Sequence, residues 1–135
     1  MISVMLIDEN ERVRRQLAIR LERQPDIKVV GECAPGDDSV GKVVRLKPSL
    51  VLMEIKTGDQ RGLETCRKLC QEMPDIPVLV LTSYFDEAER GRVFKAGAAA
   101  YLLKDLDSAA LLEAVGQAAD PLPTVGSASL RKSAS

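Results

Sequence analysis

The apolar runs of this chain stop on polar residues. Ser3–Ile7 ends in Asp8-Glu9, Leu50-Val51-Leu52-Met53 ends in Glu54, Pro77–Leu81 ends in Thr82-Ser83, and Ala99–Leu103 ends in Lys104. Alone, an acid such as Glu54 is either a ligand-site residue or the polar stop of a core strand. Carboxylates held close together repel, and a hard divalent cation relieves that repulsion. Mg2+ favours one or two carboxylates together with water and phosphate oxygens. A hydroxyl and an ammonium suit the remaining oxygens of a phosphoryl group. If these run endings meet, Asp8, Glu9 and Glu54 are candidate metal ligands, and Thr82 and Lys104 candidate phosphate contacts.

Whether they meet depends on the elements that carry them. An unbroken apolar run containing the β-branched Val51 suits a strand buried on both faces of a parallel sheet. Strands are expected at Ser3–Ile7, Ile27–Gly31, Leu50–Glu54, Pro77–Leu81 and Ala99–Leu103. The second alternates weakly, as suits a position near the sheet edge. Between them, apolar residues recur at helical spacing. Asn10 caps a helix carrying Val13, Leu17, Ala18 and Leu21, ended by Pro25-Asp26. Val40, Val43, Val44 and Leu46 mark a second helix, stopped by Pro48, after a loop at Ala34–Asp38. A loop at Lys56–Gly62 precedes a third, from about Leu63 to Met73, which Pro74 closes. The fourth spans Asp86–Ala96, weakened by about 1 kcal/mol at Gly91 and capped by Gly97. Asp107 caps the fifth, which carries Leu111, Leu112 and Val115. Strand–helix alternation of this kind gives an α/β fold, a five-stranded parallel sheet with helices on both faces. Its simplest order is the flavodoxin-like 2-1-3-4-5. Strands 1, 3, 4 and 5 are then neighbours, and their polar endings face one crevice at the carboxyl edge, where open α/β sheets bind ligands.

Composition narrows the function classes. Lys plus Arg is 19 and Asp plus Glu is 20, a net charge of -1, and aromatic residues are 3% with no Trp. Neither a basic surface for wrapping nucleic acid nor a base-stacking platform is expected. Arg12, Arg14, Arg15 and Arg20, interleaved with Glu9, Glu11 and Glu22, read as the solvated face of the first helix. Cys33, Cys66 and Cys70 are an odd number, so no disulfide framework is expected. Cys66 and Cys70, one helical turn apart, are read as filling a buried helix face with Leu63 and Met73. No signal peptide and no membrane-length apolar run occur, so a cytoplasmic location without membrane contact is expected. Residues 1–118 form one domain, and the Pro/Ser-rich residues 119–135 form a flexible linker or tail.

The sequence resembles the receiver domain of two-component response regulators from Ile2 to about Ala118. The resemblance rests on Asp8-Glu9, on Val51-Leu52-Met53-Glu54-Ile55, on Leu81-Thr82-Ser83, and on the run Ala96 to Asp105. Lys28-Val29-Val30-Gly31-Glu32 and Tyr101-Leu102-Leu103-Lys104-Asp105 are most similar to the NarL/LuxR type. The resemblance implies Mg2+ on Asp8, Glu9 and Glu54, with Glu54 at the phosphate-acceptor position. It implies that Thr82 hydrogen-bonds the phosphoryl group, that Lys104 bridges to it, and that Tyr101 is an aromatic switch turning inward when Thr82 moves. The implied partners are a sensor histidine kinase and a second copy of the chain. The dimer or effector surface is either helix 4, strand 5 and helix 5, or helix 1 with the last helix. DNA is implied only through a helix-turn-helix domain, for which the tail after the receiver is too short.

The pattern departs from the family at the acceptor. The family uses Asp there, and this chain has Glu54. One extra methylene moves the carboxylate toward Thr82 and Lys104, and direct pairing with Lys104 places permanent negative charge where a phosphate would sit. Thr57-Gly58 follow Lys56 where the family usually has Met-Pro after the acceptor strand, which loosens the loop. A signalling module that is not an enzyme and does not rely on ordinary aspartyl phosphorylation is therefore expected, acting on transcription. The competing reading, a Mg2+-dependent phosphatase or phosphotransferase, lacks a second Asp after Glu54 in a D-x-D arrangement. A flavodoxin-like cofactor binder lacks a Ser/Thr-Gly-rich loop after strand one.

Overall fold

A computed structural model describes residues 1–56, 58–104 and 109–119. Strands and helices alternate in the order β1 (Ile2–Ile7), α1 (Glu11–Glu22), β2 (Ile27–Cys33), α2 (Asp37–Leu46), β3 (Leu50–Glu54), α3 (Gln60–Glu72), β4 (Val78–Thr82), α4 (Glu87–Lys95), β5 (Ala100–Leu103) and α5 (Ala109–Ala119). The strands form one parallel sheet in the order β2-β1-β3-β4-β5. This is the expected flavodoxin-like arrangement, with β2 at an edge. Asp107 and residues 120–135 lie outside the described residues, and α5 continues through Ala119.

The sheet is apolar on both faces, which sets two separate cores. Val51, Met53, Val78, Val80 and Tyr101 point to one face and pack with Val43 of α2, Cys66 and Leu69 of α3, and Val93 of α4. Val4, Leu6, Leu50, Leu52, Leu79 and Leu81 point to the other and pack with Leu17 and Leu21 of α1 and Leu111 and Val115 of α5. Successive strand side chains alternate between faces, so each central strand feeds both cores and reads as an unbroken apolar run.

The helix starts differ from expectation at two places. α2 begins at Asp37, inside the stretch read as a loop, because Gly36 (φ 144°) turns the chain directly into the helix. α3 begins at Gln60, because the Asp59 carboxylate accepts the backbone N–H groups of Arg61 and Gly62, both at 3.1 Å. Asn10 caps as expected, accepting the N–H of Val13, and Asp86, read as the first helical residue, instead caps α4 by accepting the N–H of Glu89. Gly97 ends α4 with φ 110°, and a Cβ placed there would meet Cys70 Cβ at 2.7 Å. Cys66 is fully buried, with Cys70, Leu63 and Met73 packed in the same core, and no disulfide joins the cysteines. A hydrogen bond with Cys70, and then burial, pushes the Cys66 thiol well up, which keeps it unreactive.

Candidate functional site

The strand register sets the site. Ile7 pairs with Met53, so the next residue on β1, Asp8, comes level with Glu54. Thr82 pairs with Leu103, which puts Lys104 just beyond the end of β5. Asp8 and Lys104 continue the alternation of Val4-Leu6 and Ala100-Leu102, and Glu54 that of Leu50-Leu52. All three lie on the α1/α5 face, and there they meet. Lys104 Nζ donates to Asp8 Oδ2 at 3.0 Å and to Glu54 Oε2, with all three side chains nearly buried. Asp8 is fixed further: its Oδ1 accepts the Asn10 N–H at 2.9 Å, and its carbonyl accepts from Arg14 Nη1 at 2.5 Å. The Lys104 N–H donates to the Thr82 carbonyl at 2.6 Å, which ties the lysine backbone to β4.

Thr82 follows the other parity. It continues Val78-Val80 and lies on the α3/α4 face with Tyr101. Its hydroxyl donates to the Tyr84 carbonyl at 2.8 Å and accepts the Tyr84 N–H at 3.2 Å. The two sides of the sheet thus hold two clusters, an acid–ammonium cluster on one and a hydroxyl–aromatic cluster on the other. Asp8, Glu54 and Lys104 are in direct contact, whereas Thr82, of the opposite strand parity, bonds to the backbone of Tyr84.

Glu9 is one of the three expected metal ligands. It is exposed, and among the described residues no three His, Cys, Asp or Glu side chains converge closely enough to hold a metal ion. The carboxylates that do meet share the Lys104 ammonium, which already relieves the repulsion that would recruit a cation. In this arrangement the residues do not fit Mg2+.

Arg14 and Glu89 are largely buried charged residues that escaped the sequence reading. Arg14, taken as solvated, has its side chain 13% exposed and lies between Asp8 and Glu32. Glu89 is 3% exposed in α4, four residues before the buried Val93. That spacing puts both on one helix face, and it is the sequence signal that marks Glu89.

A family model for the response regulator receiver domain matches residues 4–116. The chain belongs to the response regulator receiver domain family. The receiver is 39% identical over 127 residues to the transcriptional regulatory protein LiaR of Bacillus subtilis, covering 94% of this chain and 60% of LiaR. It is 37% identical over 114 residues to the response regulator protein VraR of Staphylococcus aureus, covering 84% of this chain and 54% of VraR. The chain thus spans a little over half the length of these curated relatives. Among solved structures, a LuxR-family response regulator from Aurantimonas superposes with a TM-score of 0.80 at 24% identity, over 98% of this chain and 96% of that one. The response regulator domain of Thermotoga maritima CheB gives a TM-score of 0.75 at 27% identity, over 91% and 99%. Receivers commonly bind Mg2+ at their phosphorylation site and interact with sensor histidine kinases. Among the described residues of this receiver, no helix is long and apolar enough to cross a membrane.

The Tyr101 phenol sits above its ordinary range near 10, raised first by burial and then by its hydrogen bond to Glu89. A raised value means that the folded state favours the neutral phenol. The associated stability is complete below about pH 10 and is lost as pH rises through the folded value. Urea unfolding across the alkaline range should show this loss, and Tyr101→Phe should remove it. Tyrosinate absorbance should show one of the two tyrosines titrating late, and that step should vanish in the same variant.

Proposed function

We propose that this chain is the input module of a two-component transcriptional regulator in which the acceptor position is closed by an internal ion pair. The observation that carries this is the Lys104 ammonium bonded to both Asp8 and Glu54. Phosphorylation adds about -1.5 to -2 charges, and in a receiver the lysine at this position is the group that answers them. Here Glu54 already occupies that lysine. A misplacement of order 1 Å in phosphoryl transfer costs about 100-fold, and one methylene is of that order. Ordinary phosphorylation at Glu54 is therefore disfavoured both by geometry and by charge, and the permanent carboxylate on Lys104 biases the domain toward the signalling state. A bias of about 1.4 kcal/mol shifts the two populations tenfold.

The names of the relatives support output through transcription. DNA would be contacted by an effector domain outside this chain, joined through residues beyond α5, and the input would be a sensor histidine kinase or the folded state itself. A Mg2+-dependent phosphatase of similar fold is not favoured, because the acids it would use are held by Lys104.

The test is incubation with Mg2+ and acetyl phosphate, with fluoroberyllate as the stable mimic, read by intact-protein mass and by NMR. The native protein should stay unmodified. Glu54→Asp, which draws the carboxylate back from Lys104, should gain modification by about 100-fold in rate. Stable stoichiometric modification of native Glu54 would overturn the proposal.

A further inference from the structure

The second cluster has a feature that the acceptor chemistry does not use. Tyr101 is 4% exposed and Glu89 3%. The Tyr101 hydroxyl donates to Glu89 Oε1 at 2.8 Å, and its oxygen accepts the Asp86 N–H at 3.3 Å. Its ring packs against Phe85, with centroids 5.6 Å apart. The next residue before Phe85, Tyr84, is largely exposed, as are Phe85 itself and Leu103. A carboxyl group buried away from water requires a hydrogen-bonding partner. The tyrosine hydroxyl supplies it. If Tyr101 swung out to solvent, Glu89 would be left buried without that donor, so the inward position of the ring and the burial of Glu89 support each other.

We propose that Glu89 is the positioning residue that latches Tyr101 inward, so that the loop 83–86 and the aromatic face beside β5 are set by this pair rather than by events at Glu54. The proposal rests on reading Tyr101 as the switch aromatic of the receiver. It goes further in assigning the control of that switch to α4. Thr82 supports the assignment, because its hydroxyl is engaged with the Tyr84 backbone, donating to the carbonyl and accepting the N–H. The latch therefore holds with the acceptor cluster undisturbed.

The experiment uses the full chain in a Tyr84→Phe background, where Tyr101 is the sole tyrosine. Ring exposure is read by iodide quenching of tyrosine fluorescence. Glu89→Met keeps the length of the side chain and removes the acceptor, and quenching should rise about fivefold or more while the helical circular dichroism is kept. Glu89→Gln still accepts from the phenol through its amide oxygen and should stay close to the parent. Equal shielding of Tyr101 in the Glu89→Met and parent proteins overturns the latch. A measurement with Glu89 intact covers the case in which Glu89→Met does not fold. In a Glu54→Asp chain, which should admit the mimic, fluoroberyllate with Mg2+ should leave Tyr101 quenching unchanged, and a severalfold change overturns the proposal. The outcomes also separate the two readings. Modification of native Glu54 with Tyr101 still shielded removes the closed-acceptor reading and keeps the latch. An unmodified Glu54 with Tyr101 equally shielded in Glu89→Met does the reverse.

Discussion

Replacing Lys104 by Met should destabilise the receiver by about 3–5 kcal/mol, the range found when one partner of a buried ion pair is removed. Methionine preserves the length and apolar stem of the side chain, so little of the loss comes from packing. What remains is two nearly buried carboxylates, Asp8 and Glu54, facing each other with no cation between them. Domains of this kind are held together by only about 5–15 kcal/mol in all, so the urea midpoint should fall steeply with little change in slope. Adding Glu54→Gln to Lys104→Met should recover part of the loss, since it removes one of the opposed charges. Mg2+ should likewise stabilise Lys104→Met more than the native protein, because the variant alone presents unanswered acids. If the single and double variants unfold at the same midpoint, the bridging role assigned to Lys104 is wrong.

Gly97→Ala should be comparably severe for a different reason. Gly97 has φ 110°, a conformation L side chains rarely adopt. Holding a non-glycine residue in such a region costs about 1–3 kcal/mol. The added methyl would also stand 2.7 Å from Cys70 Cβ and 3.2 Å from its Sγ, and overpacking costs about 1–3 kcal/mol more. The sum is about 2–6 kcal/mol in unfolding free energy. Because the nearest clashing atom is the β-carbon of Cys70, Cys70→Ala should not rescue Gly97→Ala. Rescue to the parent midpoint would show that the thiol, not the backbone approach of α3 to the α4–β5 turn, sets the constraint.

Much of this was legible from residue order. The alternation of apolar runs with helical spacing gave the five strands, the five helices and the sheet order, because parallel crossovers leave few arrangements. Pairing of Glu54 with Lys104 was also legible, from one extra methylene at the end of β3. What stayed hidden was the face on which each polar ending lies. β3 and β4 are apolar on both sides, so their sequences show no alternation to say that Thr82 and Glu54 differ in parity. The sorting emerges only once Leu81 is seen level with Glu54 and the pleat is followed one residue further. Glu89 was hidden for a related reason. A charged residue in a polar helix such as α4 reads as solvated, and its burial depends on a phenol twelve residues away in sequence. The starts of α2 and α3 were misread because Gly36 and Asp59 suggest loops as readily as helix entry.

An interior strand of the sheet, β1, is the first of the five to be synthesised. β1 lies between β2 and β3, and both of its faces are apolar, yet β3 does not begin until Leu50. At about 5–20 residues per second, the nascent chain carries an unpaired, sticky β1 for several seconds before its second partner leaves the ribosome. Chains stalled short of Leu50 should therefore associate or recruit chaperones, whereas chains stalled after Thr82 should already be compact.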